Sequence, residues 1–295
     1  MKNTSEKKHV VLIAGSTASG KSALAIEKAK DTGAIIINAD SMQVYDVLNV
    51  LSARPQPKDL EQAQHRLYGD IPPSVRFSTG EWFRSAQNLL KEQENSQYPL
   101  IFVGGTGLYF SSLLDGFTNV PPIAKEIVAS VEDEIAPLSR EQRFEILQKR
   151  DPLMAGILLE PDRQRLVRAL SVLEATGKSL AYWQKQGQVG LLDDYQVEKI
   201  LLNPDRDLLN ERIANRFKNM MSEGAVEEVK SLLALELDAS LPAMKAIGVQ
   251  QISAMLANDI SSQEAIEKSI IATRQYAKRQ RTWFRKRMKD WEWIG

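Results

Sequence analysis

The chain has 295 residues, 43% hydrophobic and 26% charged, with a formal net charge of zero, which is the profile of a globular protein built as one large domain or a core with an appended one. It has no cysteine and only two histidines, His9 and His65, so disulfides, cysteine-ligated zinc, iron–sulfur clusters and thiol nucleophiles are excluded and little histidine chemistry remains. Balanced charge means that any nucleic-acid partner is held by local patches, and the polar residues 1–8, followed by a short apolar run, suggest neither signal sequence nor membrane span, so a cytoplasmic enzyme is expected.

Val10 to Ala14 reads as a buried strand and Ala23 to Ala29 as a helix. Between them runs Gly15-Ser16-Thr17-Ala18-Ser19-Gly20-Lys21-Ser22, which fits G-x-x-x-x-G-K-[ST]. In that pattern glycines let successive N–H groups wrap a diphosphate, the lysine reaches its outer oxygens, and the last hydroxyl, here Ser22, serves Mg²⁺. Loop and helix N-terminus together form an anion site. The plain alternative is a chance match in a Gly/Ser-rich turn; the flanking strand and helix argue against it. Which phosphate compound the loop holds is left open.

Ala34 to Asn38, Leu100 to Val103 and Glu198 to Leu202 read as three more buried parallel strands. The second strand feeds Asp40-Ser41 and the third feeds Gly104-Gly105-Thr106-Gly107. Since ligands of open α/β sheets bind outside the carboxyl ends of strands, one crevice is expected to collect the loop, Asp40 and Thr106. Asp40 is no ribose-binding acid, because no G-x-G-x-x-G precedes it. It is a Mg²⁺ holder, a general base beside the phosphates, or a cap on the turn Asp40-Ser41 leading into a helix. Gly104 to Gly107 is either a tight turn needing positive φ or a mount for a threonine hydroxyl that donates to an oxygen gaining charge as a phosphate ester breaks.

From Pro121 to Asp194 helical patterns, Glu141 to Gln148 and Gln164 to Leu173, replace strands, and Gly187, Gly190 and an acidic pair close the segment. We read 121–194 as a helical insertion, a candidate mobile subdomain, in a core made of 1–120 and 195–295. Gln164 and Arg168 share a helix face, with Arg165 beside them; solvated charge and a phosphate or base contact both account for the set. Asp207 to Leu233 is helical in period, with Arg212 and Arg216 one turn apart. Arg216 is the better candidate to clamp a diphosphate, though a plain surface arginine fits the spacing equally well. The last helical stretch carries Arg274, Lys278, Arg279, Arg281, Arg285, Lys286, Arg287 and Lys289 among Tyr276, Trp283 and Phe284. Such a run is a nucleic-acid footprint, phosphates to cations and bases to aromatics, or else a solvated basic helix whose aromatics pack on the core.

These blocks resemble the tRNA dimethylallyltransferases, the IPP transferase family, through most of the chain. Gly15 to Ser22 is similar to the family's GPTASGK[TS], Asp40 to Tyr45 to its DSMQVY and Gly104 to Tyr109 to its GGTGLY; Asp162 to Lys178 and Tyr276 to Phe284 also match family blocks. The resemblance implies an α/β fold, with a P-loop NTPase-like parallel sheet flanked by helices and a helical insertion that contacts tRNA. It implies attack by N6 of an anticodon-loop adenine on C1 of dimethylallyl diphosphate, releasing Mg²⁺-bound diphosphate. Asp40 would then be the general base, Thr106 would touch the oxygen bridging C1 and diphosphate, Arg216 would hold the diphosphate, and the loop would bind the donor. Asp40, Ser41, Met42, Gln43 and Thr106, Gln164 to Arg168 with Leu166 and Val167 between, and the basic-helix residues Arg281 and Arg285, would meet tRNA.

Departures from the family pattern are Ser16 for proline, Leu51-Ser52-Ala53-Arg54 for GTAK, Gly248-Val249 for GY, and Val128 for an arginine. Neither a membrane nor a protein partner is expected, and a monomer is favoured because no long apolar surface stripe is evident. The main rival reading is a small-molecule kinase, since the loop equally fits ATP; a third is an RNA-binding protein that uses nucleotide as a switch.

Overall fold

The computed structural model describes residues 8–94, 96, 98–118, 120–159, 162–186 and 189–295. Gly187, expected to help close the insertion, lies outside them, as do residues 1–7.

The chain opens with β1 (His9–Gly15), whose residues Val10 to Ala14 are at most 5% exposed, and passes through the loop into α1 (Lys21–Thr32). Next come β2 (Ile35–Asn38), the single turn α2 (Pro57–Leu60), the two-residue β3 (His65–Arg66) and α3 (Thr79–Glu92). A capping box starts α3: Ser78 Oγ accepts from Glu81 N and Glu81 Oε2 accepts from Ser78 N. β4 (Leu100–Gly104) and α4 (Gly107–Asp115) follow.

Five helices then form a unit of their own: α5 (Lys125–Ile135), α6 (Arg140–Arg150), α7 (Pro152–Ala155), α8 (Arg163–Thr176) and α9 (Leu180–Gln184). Val131, Ile135, Leu147, Met154, Leu166 and Leu170 pack into a separate core there. This unit spans Asp115–Gly190, against the 121–194 read from composition. The shift has a local cause, since α4 stops at Asp115 and the Leu191 N–H already donates to the Leu113 carbonyl at 2.8 Å, with Leu192 buried in the main core.

The chain resumes with β5 (Gln196–Leu202), α10 (Arg206–Ser222), α11 (Ala225–Leu233), a 3₁₀ turn (Ala243–Lys245), α12 (Val249–Leu256), the long α13 (Ser262–Arg287) and β6 (Glu292–Ile294). The helical stretch expected over Asp207 to Leu233 is therefore two helices, broken at Gly224, whose φ of 106° no helix accepts. The strands form one sheet, β3-β2-β4-β1-β5-β6, with all neighbours parallel.

Helices on both faces explain why the central strands read as unbroken apolar runs. Val10, Leu12, Ile37 and Phe102 join the larger core with Trp82, Phe110, Ile213 and Phe284, whereas Val11, Ile13, Ile36 and Val103 join a smaller core with Ala25 and Ala29 of α1. The sheet order also sets β4 between β2 and β1, so the turns that carry Asp40, Thr106 and Gly15 emerge side by side at one edge.

Candidate active site

The loop leaves β1 and enters α1 through Gly20, which caps the helix at φ 98°, ψ 5°. A side chain there would be strained, which accounts for glycine at this position of the motif. The N–H groups of Ala18, Gly20, Lys21 and Ser22 meet no acceptor among the described residues, while those of Thr17 and Ser19 are taken by Gln280 Oε1 (2.9 Å) and the Ser16 carbonyl (3.1 Å). Four free donors at a helix N-terminus constitute an anion cradle. Ser16 and Ser19 are buried with hydroxyls that have no partner among the described residues, whereas Ser22 is exposed at the start of α1.

Asp40 is mounted rigidly. Asn38, fully buried at the end of β2, accepts from Asp40 N (2.7 Å) and donates to its carbonyl (3.0 Å), and Asp40 Oδ1 accepts from Met42 N (3.0 Å). No helix follows, so the carboxylate closes a turn rather than capping a helix. The Thr106 hydroxyl accepts from Ser41 N (2.9 Å) and donates to Ser41 Oγ (3.3 Å), which brings the two sequence candidates together. Glycine is required in the turn between them: a Cβ on Gly104 would stand 2.0 Å from the Ala39 carbonyl oxygen, and one on Gly105 would be 2.3 Å from Gln280 Nε2 and 3.3 Å from Asp40 Oδ2.

Positive charge reaches the cradle from α10. Arg216 Nη2 donates to Thr17 Oγ1 at 2.9 Å, and Arg212 Nη1 to the Ser19 carbonyl at 3.3 Å. Lys21 is buried beside the Ser16 carbonyl (3.5 Å), and burial above all lowers its pKa to about 8; Asp40 opposes the shift and Arg216 adds to it. Burial likewise pulls Arg216 below the ordinary arginine value, against the pull of Asp40. Two cations desolvated around one carboxylate leave a net positive site suited to an anion. Tyr68, Tyr109 and Tyr276 stand in the field of Asp40; burial first and Asp40 second raise all three, so these phenols stay neutral.

Sequence reasoning missed Gln280. Its side chain is 6% exposed, accepts the Thr17 N–H and donates to the Gly105 carbonyl at 2.8 Å, so one amide of α13 ties the cradle to the Thr106 turn. A lone glutamine in a run of cations carries no pattern that would have revealed this. Tyr68 gave no signal either.

The candidates for RNA contact divide. On α8, Gln164, Arg165 and Arg168 are exposed, with Arg165 paired to Asp162 at 3.4 Å, but Leu166 and Val167 point into the core of the insertion, so their side chains are not available to a ligand. Val128 packs on that same core. Gln43 spends its amide nitrogen on the Ser52 and Ala53 carbonyls. Along α13, Ala277, Gln280 and Phe284 face inward while Lys278, Arg279, Arg285, Lys286 and Arg287 are exposed and, among the described residues, in no ion pair. Arg281 is half-buried, its Nε without a partner among those residues. Two of the three aromatics expected to meet bases are structural: Phe284 is in the main core, and Trp283 packs so close to Gly107 that a Cβ there would be 2.3 Å from its ring; Tyr276 is half-buried.

A parallel sheet, an N–H cradle at its edge without a partner among the described residues, and a lysine and arginine closing on that cradle define a P-loop protein of the α/β class, with a carboxylate set against the phosphate site. The chain belongs to the IPP transferase family, whose model matches residues 43–287. It is 50% identical over 286 residues to the tRNA dimethylallyltransferase of Chelativorans sp. (strain BNC1), covering 97% of this chain and 98% of that one. To the enzyme of the same name from Agrobacterium fabrum it is 47% identical over 291 residues, covering 98% and 97%. Among solved structures, the tRNA isopentenylpyrophosphate transferase of Staphylococcus epidermidis superposes with a TM-score of 0.68 at 31% identity, over 98% of this chain and 93% of that one. A eukaryotic dimethylallyltransferase acting on tRNA shares the fold with a TM-score of 0.81 at 24% identity, over 94% and 70%.

Proposed function

We propose that the protein transfers the dimethylallyl group of dimethylallyl diphosphate to N6 of an adenine in the anticodon loop of tRNA, releasing diphosphate. The observation that carries this reading is the convergence of Asp40, Thr106 and the cradle on the ends of three adjacent strands in a chain of this family.

The donor's diphosphate lies in the cradle, met by the free N–H groups, Lys21 and Arg216. These groups are already oriented, so they stabilise the charge that builds on the leaving oxygen without reorganising. The amine nitrogen attacks C1, the C1–O bond breaks with its electron pair going to diphosphate, and the proton released from the amine passes to Asp40. Positioned proton acceptance of this kind contributes typically about 10²–10⁴-fold. The Thr106 hydroxyl donates to the bridging oxygen once it gives up its longer bond, the one at 3.3 Å to Ser41 Oγ.

No group of three or more His, Cys, Asp or Glu side chains able to hold a metal exists among the described residues. Ser22, whose hydroxyl is exposed at the start of α1 beside the loop, is the residue that would hold Mg²⁺ next to a bound diphosphate. Held there, the ion would neutralise charge on the departing diphosphate. The target adenine leaves its stack at a cost of about a few kcal/mol, which the cationic face of α13 and the exposed residues of α8 offset by holding tRNA phosphates. Among the described residues no helix is long and apolar enough to cross a membrane.

The test gives purified protein Mg²⁺ with either labelled dimethylallyl diphosphate and unmodified tRNA, or ATP and a metabolite mixture. Label entering RNA without need of ATP is the expected result. Phosphorylated metabolites with unlabelled RNA would establish a kinase instead.

A further inference from the structure

Glu228, in the first turn of α11, plays no part in the chemistry above, yet its carboxylate gathers three consecutive backbone N–H groups from a segment 177 to 179 residues earlier. Asn49 and Val50 donate to Oε2 at 2.8 and 2.6 Å, and Leu51 donates to Oε1 at 2.9 Å. Those N–H groups have no other acceptor among the described residues. Bonds to an ionised acceptor are about twice as strong as neutral ones. A carboxylate reaching across the fold to three neighbouring amides fixes that segment in place.

The pinned segment closes back on the active-site turn. Gln43 Nε2 donates to the carbonyls of Ser52 (3.0 Å) and Ala53 (2.8 Å), and Arg54 Nη1 donates to those of Tyr45 (2.9 Å) and Asp46 (3.1 Å). Residues 40–54 thus have two limbs, Asp40 to Gln43 on one and Asn49 to Arg54 on the other, with the Gln43 amide as the rung between them. Leu48 and Leu51 are buried beneath. Ala53 is held at φ 52°, a conformation that a residue with a side chain keeps only when its surroundings impose it.

We infer that Glu228 is a positioning residue for the reaction: it anchors the limb on which the Gln43 rung stands, and through that rung it sets the placement of Asp40 to Gln43 toward the RNA. The inference rests on the proposed transfer to tRNA. A purely structural anchor would change melting temperature and leave kinetics alone, so the two roles separate experimentally.

Full-length Glu228→Gln, which turns one acceptor oxygen into an N–H₂ facing the same amides, is compared with Glu228→Ala and the unaltered protein. Amide exchange at Asn49 to Leu51, diphosphate affinity, and kcat and KM for tRNA at saturating donor are measured. The expected result is exchange at those amides at least tenfold faster and kcat/KM for tRNA at least tenfold lower, with diphosphate affinity within twofold. Should Glu228→Ala fail to fold, Glu228→Gln alone decides. A variant with faster exchange and a lower melting temperature, but kcat and KM within twofold, overturns the inference while leaving the transferase reading intact. Absence of transfer by the unaltered protein overturns both, and that control tells the two failures apart.

Discussion

Lys21 is a cation buried where burial works against its charge, and that conflict is measurable. With a pKa of about 8 in the free site, it gains its proton most firmly when a diphosphate arrives. Diphosphate affinity should therefore hold steady below about pH 8 and fall by up to about tenfold per unit above it, until the higher pKa of the complex is passed. Calorimetric titration against pH checks this, and Lys21→Met should lose that limb. The sign for stability follows from the same shift: between about 8 and the ordinary 10.5 the folded chain holds fewer protons than the unfolded one, so burial of Lys21 penalises folding less as pH rises through that window. Asp40, by contrast, is held by Asn38 and Met42 N in a pose that needs no ligand. Asp40→Ala should lower kcat at least a hundredfold in single-turnover transfer assays while tRNA binding, measured by filter retention, changes little. Unchanged turnover would remove Asp40 as the proton acceptor.

Among the elements, α13 does two things with two faces. Its inner side delivers Gln280 to the cradle and Phe284 to the core, and its outer side presents Lys278, Arg279, Arg285, Lys286 and Arg287, which form no ion pair among the described residues. Reversing charge at Arg281 and Arg285 to Glu should weaken tRNA binding and flatten its dependence on salt, by roughly one phosphate contact for each exposed cation lost. Arg285, the more exposed, should contribute the larger share; an unaltered salt slope would return α13 to a scaffolding role. The strands most legible beforehand were those buried on both faces. β1, β2 and β4 announce themselves as apolar runs because helices cover both sides of them, whereas in β5 only Ile200 and Leu201 are buried and Glu198 and Lys199 interrupt the run. The edge strands β3 and β6, two and three residues long, are too short and too polar at their ends to leave a period. The break between α10 and α11 was hidden because helical spacing continues across Gly224. At the site, the loop, Asp40, Thr106 and Arg216 were readable from motif and strand ends, whereas Gln280 and Glu228 act across 263 and about 178 residues of chain, a relation no local pattern encodes.

For the molecule as a whole, the governing fact is two compact units in one chain, the first with a hydrophobic core on each face of its sheet and the second, Asp115–Gly190, with a core of its own. Leu170→Ala, a truncation in the core of that second unit, should cost about 2–5 kcal/mol there. Hydrogen exchange should then quicken in α5 to α9 while diphosphate affinity stays as it was; loss of diphosphate binding would mean that the two units do not fold independently. The sheet order carries a consequence for synthesis. β1 lies between β4 and β5, and β5 is translated only after the entire insertion. On the ribosome, then, the nascent β1 has one flank satisfied by β4 and the other bare for as long as residues 115–190 take to emerge, a template for unwanted pairing with a neighbouring polypeptide. An intervening stretch that collapses promptly around its own leucines keeps that interval short and the late-arriving strand within reach, whereas a loose tether of equal length would leave the gap open to chaperones and to aggregation.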